Sequence, residues 1–305
     1  EAAREYTIFA RVTPEQKKII ISELRHQGNT VAMIGDGVND LLALKQADCS
    51  IAMANGADAA KSVAHLVSLD SNFSALPKVV EEGRRVINNL QRVCSIFLVK
   101  TIFAFSMAAL FLILSWINPA VSYPFTTNNL LAWEVLTIGL APFFIALEPN
   151  KERITSGFIR NVVQEAIPGA LIQIIGSMPL LLASYVNPDL FPPEGAITMC
   201  VMFFSVMSVI ILLHVCMPLN RYRLIVLLGT LVAMGAFIVS DVYINVFLNG
   251  KNLLAVNYLS INKACLLLGL LVFIVSIPLY FVIAKYFKVF MRRRKGKKDE
   301  QRRTN

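Results

Sequence analysis

Residues 31–40 read Val31-Ala32-Met33-Ile34-Gly35-Asp36-Gly37-Val38-Asn39-Asp40. The first five form a short apolar run closed by glycine, the pattern of a buried parallel strand. The next five set two carboxylates and an amide on a tight loop, and Leu41 to Ala47 then reads as a helix. In open α/β sheets ligands bind beyond the carboxyl ends of the strands. Hard oxygen donors such as Asp36, Asn39 and Asp40 suit Mg²⁺, which takes one or two carboxylates together with phosphate oxygens. Gly35 and Gly37 allow the backbone to approach a phosphate closely. Taken alone, the loop reads equally well as a plain Asp/Asn turn, so its surroundings decide.

Upstream, Phe9 to Lys17 reads FARVTPEQK, the end of a strand followed by the start of a helix. Thr13 is the expected N-cap, Pro14 a first-turn residue, and Glu15 and Gln16 supply the side chains of a capping box. Lys17 therefore falls just inside a helix, where an ammonium can meet a phosphoryl group at the sheet edge. By itself Lys17 would read as a solvated helix charge.

Outward from this segment the composition changes. Of 305 residues, 56% are apolar and only 16% charged, a balance that points to membrane spans. Residues 1–92 resemble a soluble α/β segment, whereas 93–290 consist mainly of long apolar runs. Windows of about 20 apolar residues span a hydrocarbon core of roughly 30 Å. Six are expected, near 93–116, 128–147, 166–186, 196–217, 222–245 and 264–287. Lys151, Arg153 and Arg160 follow the second window, and Arg221 and Arg223 follow the fourth. The loops after the first and third carry no Lys or Arg, and only Lys251 and Lys263 lie in the last outer loop. The positive-inside rule then places residues 1–92 and the C-terminal tail in the cytoplasm. The net charge of +9 is concentrated between Lys285 and Arg303, beside an apolar segment. That is the pattern of an anchor to anionic lipid rather than a nucleic-acid surface. The five cysteines are scattered without a CxxC pair and read as small buried residues. No signal peptide is evident at the N-terminus, and the absence of a starting methionine suggests a piece of a longer protein.

Within the spans, polar residues carry a functional expectation because charge is costly in lipid. Glu134 and Thr137 are three apart, so they share a helix face and can offer oxygens to one cation. Pro142 removes a backbone donor and can free a carbonyl as a further ligand. The alternative is a structural ion pair for Glu134. Lys100 either snorkels to the interface or reaches inward as a counter-charge to Glu134. Asp241 and His214 read as interfacial, and Met199, Met202 and Met207 as packing.

The pair FARVTPEQK and MIGDGVND, with its continuation ADCSIAMANGADAAKSVAHLVSLDSNFSALPKVVEEGRRVINN, resembles the phosphorylation domain of P-type ATPases, a haloacid-dehalogenase-like fold. The resemblance implies an α/β class, a partial Rossmannoid phosphorylation domain over 1–78. A stalk helix over 79–92, an all-α six-helix transmembrane bundle over 93–290 and a basic cytoplasmic tail over 291–305 would follow. It implies that Asp36 binds the catalytic Mg²⁺, with Asn39 and Asp40 completing the site, while Lys17 neutralises the phosphoryl group delivered from ATP. The DKTGT motif that carries the phosphorylated aspartate is not in this sequence, so the chain alone is expected to be inactive. The second span resembles the family's sixth, where Glu134 takes the place of an Asn and Ile138 that of a calcium-binding Asp. Thr101 and Ala104 fall on calcium-ligand positions of the preceding span. The cation site implied is therefore Glu134, Thr137 and Thr101, with Lys100 as counter-charge, for calcium or another divalent ion in a plasma membrane. Heavy-metal transport, lipid flipping and a silent membrane subunit with a phosphatase-like domain are the competing readings.

Overall fold

The computed structural model describes residues 2–70, 72–154, 157–247 and 253–304, with side chains through Met291. The chain divides into two compact units, Glu1–Gly83 and Arg84–Asn305.

In the first unit, α1 (Ala2–Glu5) and α2 (Pro14–His26) precede β1 (Ala32–Gly35), α3 (Leu41–Gln46), β2 (Cys49–Met53), α4 (Asp58–Val63) and β3 (Leu66–Ser68). The three strands form one parallel sheet in the order β1-β2-β3, with Ala32 opposite Cys49 and Ile51 opposite Leu66. Each return to the parallel direction requires a crossover, and α3 and α4 supply them. Leu44, Ala52 and Ala60 are completely buried where these helices meet the sheet. The helix opening at α2 follows the expected chemistry. Gln16 N–H donates to Thr13 Oγ1 at 3.3 Å and Thr13 N–H to Gln16 Oε1 at 2.9 Å, with Pro14 in the first turn. At the start of β1, Val31 N–H donates to Asp48 Oδ2 at 2.9 Å, and Arg25 pairs with the other oxygen at 2.9 Å.

The second unit is helical. Among the described residues, five helices are long and apolar enough to cross a membrane. They lie in α5 (Leu76–Ile117), α7 (Phe158–Val186), α8 (Pro193–Val215), α9 (Arg221–Phe247) and α10 (Lys263–Thr304). The second of the expected spans is not a single α-helix. A 3₁₀ turn at Asn128–Leu130 leads through Leu131 and Ala132 into a π-helix, Trp133–Leu140, and then α6 (Ala141–Ala146). The wide turn is visible where Ala141 N–H reaches the Leu136 carbonyl, five residues back. Its residues explain it, for Gly139 lowers helix propensity and Pro142 brings no N–H to the ladder. Residues 79–92 and the first span lie in one helix, α5, and α10 continues as backbone helix beyond its apolar stretch. The tail's side chains beyond Met291, and Lys251, lie outside the described residues.

An aromatic cluster holds the irregular segment in place. Phe103 meets Trp133 edge-to-face at 5.4 Å and Phe204 at 4.9 Å, and Phe125 meets Phe204 at 5.2 Å. Such contacts add to area burial through ring quadrupoles. Here they fix Trp133, the neighbour of Glu134, against α5 and α8.

Candidate functional site

The strand β1 ends at Gly35, and the GDGVND loop turns there into a single 3₁₀ turn, Val38–Asp40, before α3. Asp40 points back under the strand end. A Cβ on Gly35 would stand 2.6 Å from Asp40 Cβ, so only glycine admits that approach. The Asp40 carboxylate is buried and receives the Lys17 ammonium at 2.7 Å and the Gly37 N–H at 3.4 Å. Thus α2 and the loop, 23 residues apart in sequence, meet through one charge-assisted hydrogen bond. The backbone of Asp36 is clamped from the other side. Ala57 N–H donates to the Asp36 carbonyl at 2.7 Å, and a Cβ on Gly56 would come 2.5 Å from that same oxygen.

With its backbone fixed, Asp36 leaves its side chain exposed beyond the strand, beside the exposed Asn39. Neither side chain has a hydrogen bond or ion pair among the described residues. Unspent hard oxygens at the carboxyl end of a parallel strand fit Mg²⁺. Asp40 is differently placed, because its negative charge already faces Lys17. Lys17 and Asp40 are brought together at the end of β1.

The intramembrane residues lie in the second unit. Lys100 Nζ of α5 and Glu134 Oε1 of the π-helix are 2.5 Å apart, so Lys100 reaches inward to the acid. Thr137 is buried and stands 3.1 Å from Ser208 Oγ on α8. The Ser208 hydroxyl donates to the Ser205 carbonyl at 2.7 Å, which makes Thr137 the donor to Ser208. Ser208 was not picked out by sequence, since a serine in an apolar helix carries no signal without its partner. Thr101 stands apart, exposed, with its hydroxyl donating to Phe97 O at 3.1 Å in its own helix.

Two buried acids hold parts of this unit together. Glu148, 1% exposed, accepts Arg223 Nε at 2.9 Å and Asn220 Nδ2 at 2.6 Å, with Arg92 Nη1 at 3.5 Å. Asn89 of α5 adds bonds to the Ala146 and Glu148 carbonyls at 3.2 and 2.7 Å, closing the end of α6. The available signal was an acid at the end of an apolar run, in ALEPN, with Arg92 just before the first apolar window and Arg223 at the start of the fifth. Asp241, expected at an interface, is fully buried and ties down the loop ahead of α10. It accepts Leu254 N–H at 3.1 Å and Tyr258 OH at 3.0 Å. The loss of that hydroxyl's proton beside a carboxylate, after desolvation, is strongly disfavoured, so the Tyr258 pKa is raised.

Residues 17–80 match the family described as haloacid dehalogenase-like hydrolase. Among curated proteins, the calcium-transporting ATPase CtpE of Mycolicibacterium smegmatis is 37% identical over 246 residues, 76% of this chain and 30% of that protein. The protein of the same name from Mycobacterium bovis is 42% identical over 191 residues, 59% of this chain and 23% of its own length. The probable cation-transporting ATPase exp7 of Streptococcus pneumoniae is 40% identical over 175 residues, covering 56% and 22% respectively. The chain thus spans between 22% and 30% of the length of these relatives. A haloacid-dehalogenase-like segment carrying the GDGVND loop, followed by apolar helices and similar in sequence to cation-transporting ATPases, is part of a P-type ATPase.

Proposed function

We propose that the whole protein is an ATP-driven cation pump working through an aspartyl phosphate, and that this chain supplies part of its phosphorylation site and part of its cation path. The observation that carries the reading is the Lys17–Asp40 contact at 2.7 Å beneath an exposed Asp36. Phosphoryl transfer asks little covalent chemistry of a protein and much positioning and charge stabilisation. Asp40 holds the Lys17 ammonium at the sheet edge, where it offsets the negative charge spread over the transferred phosphoryl oxygens. Asp36, with Asn39 and the remaining oxygen of Asp40, would hold Mg²⁺. When bound, the ion supplies charge neutralisation and orientation of phosphate oxygens. The Gly56–Ala57 turn keeps the Asp36 backbone from drifting as the carboxylate is loaded.

The cation path is the second part of the proposal. Glu134 lies on a π-helical turn, and such turns occur often at functional sites because they break the regular ladder. An acid there, with Thr137 on the same segment, favours a cation over a lipid as the cargo. The names of the relatives make calcium or another divalent ion the leading candidate. Lys100 and Glu134 neutralise each other without a bound ion, and a divalent ion would displace the ammonium. Lys100 would then return to Glu134 after release, so that the empty site never crosses the cycle as a bare charge. The helix α5 runs unbroken from Leu76 to Lys100 and beyond, and would carry movement toward this pair.

Replacing Asp36 by Asn tests the phosphoryl half of the proposal. In the whole protein this variant should insert normally in the membrane and form no phosphoenzyme from labelled ATP. Normal turnover in the Asn variant would remove Asp36 from the metal site.

A further inference from the structure

A second charged cluster lies between α7, α8 and α10. Glu165 of α7 stands 3.8 Å from His214 Nε2 of α8 and 3.5 Å from Lys288 Nζ of α10. These residues border a cleft of about 280 Å³ that Gln164, Phe281 and Lys285 also line. Lys285 makes no hydrogen bond or ion pair among the described residues. His214 Nδ1 is buried with no hydrogen-bond partner among the described residues, and its ring stacks on Phe281 with centroids 5.9 Å apart.

The arrangement on α10 is directional. Phe281, Lys285 and Lys288 are spaced four and three residues apart and therefore share one helix face. An apolar ring comes first and two ammonium groups follow toward the basic run Arg292-Arg293-Arg294. Lys285 and Lys288 together outweigh Glu165, so the cleft keeps a net positive charge. The helix ends that border it carry the basic loops, Arg160 before α7's second turn and Arg221 just after α8. By the positive-inside rule that is the cytoplasmic face, where anionic headgroups concentrate. A phosphodiester could meet both ammonium groups there while its glycerol and first acyl carbons rest on Phe281.

We propose that this cleft binds the phosphate of an anionic phospholipid, with Lys285 and Lys288 as its ligands and Glu165 as an internal competitor that weakens it. The site is independent of the transport reading and would stand if that reading failed. The interaction of each lysine with an anionic surface is on the order of 1 kcal/mol, so losing both should cost about thirtyfold in affinity.

The test uses the whole protein in phosphatidylcholine nanodiscs containing a few mole per cent phosphatidylglycerol, with protein-bound lipid counted by native mass spectrometry. Lys285→Gln with Lys288→Gln should reduce bound phosphatidylglycerol about thirtyfold. Lys285→Arg with Lys288→Arg should retain it, which separates charge from folding. Glu165→Gln should raise it, a direction that general damage would not produce. Neutralising Arg292, Arg293 and Arg294 should leave most of it in place. Unchanged binding in the double Gln variant would overturn the proposal, as would binding that follows the three arginines instead. Protection of the protein by inorganic phosphate in pure phosphatidylcholine discs, lost in the same Gln variant, would overturn lipid as the occupant and identify a soluble anion.

Discussion

At the scale of single residues, the haloacid-dehalogenase-like segment depends on a few carboxylates with different tasks. Asp36 is left open to a ligand, Asp40 fixes Lys17, and Asp48 ties the entry to β1. The Val31 N–H, and then the Arg25 guanidinium, hold the Asp48 carboxyl below its ordinary 3.8. A carboxyl depressed by folding contributes stability that is complete above its ordinary value and is lost as pH falls through the folded one. Stability of residues 1–70 should therefore fall with acid below about pH 4, and Asp48→Asn should flatten that acid limb. Hydrogen exchange of the β1 and β2 amides across this range measures it. An unaltered acid limb in the variant would mean that other carboxylates set the response. Much of this scale was legible beforehand. The loop, the cap at Thr13 and the place of Lys17 follow from local chemistry, whereas the clamp on Asp36 from Gly56 and Ala57 required knowing which turns lie side by side.

At the scale of elements, the π-helix at Trp133–Leu140 is the feature that a count of apolar windows could not reveal. Hydropathy measures length and apolarity, and a π turn changes neither. Gly139 and Pro142 hinted at irregularity without specifying its form. The end of this element was equally hidden. Glu148 lies beyond the apolar run, and its partners Arg92 and Arg223 come from helices distant in sequence, so no spacing rule links them. Removing one member of a buried charge cluster leaves the others uncompensated, at a cost of about 3–5 kcal/mol. Glu148→Ala should accordingly lower the unfolding midpoint in detergent by that equivalent and expose the α6–α9 junction to proteolysis. A change within 0.5 kcal/mol, roughly that of an ordinary surface substitution, would show that the arginines find other partners. Legibility at this scale thus tracked locality: caps and loops could be read, while charge clusters joining three helices could not.

At the scale of the molecule, composition and charge asymmetry predict that both ends of the chain face the cytoplasm. The helical stretch over Asn128–Ala146 must cross together with the five longer helices for that to hold. Single cysteines placed at Lys151 and Asn220, in a background lacking the five native cysteines, should react with an impermeant maleimide only from the cytoplasmic side. Cysteines at Asn118 and Asp189 should react only from the opposite side. Labelling of Lys151 and Asn118 from the same side would mean that the irregular segment, or α5, does not cross.

The proposed role of Glu134, balanced by Lys100, in binding the transported cation can be measured by phosphoenzyme formation from labelled ATP in the whole protein, titrated with Ca²⁺, Mn²⁺, Zn²⁺ and monovalent ions at fixed Mg²⁺. Stimulation by one divalent ion is expected, with Glu134→Gln shifting the half-maximal concentration upward at least tenfold while the maximal level at saturating ATP changes little. Phosphorylation indifferent to every cation, or an unshifted titration in Glu134→Gln, would contradict it.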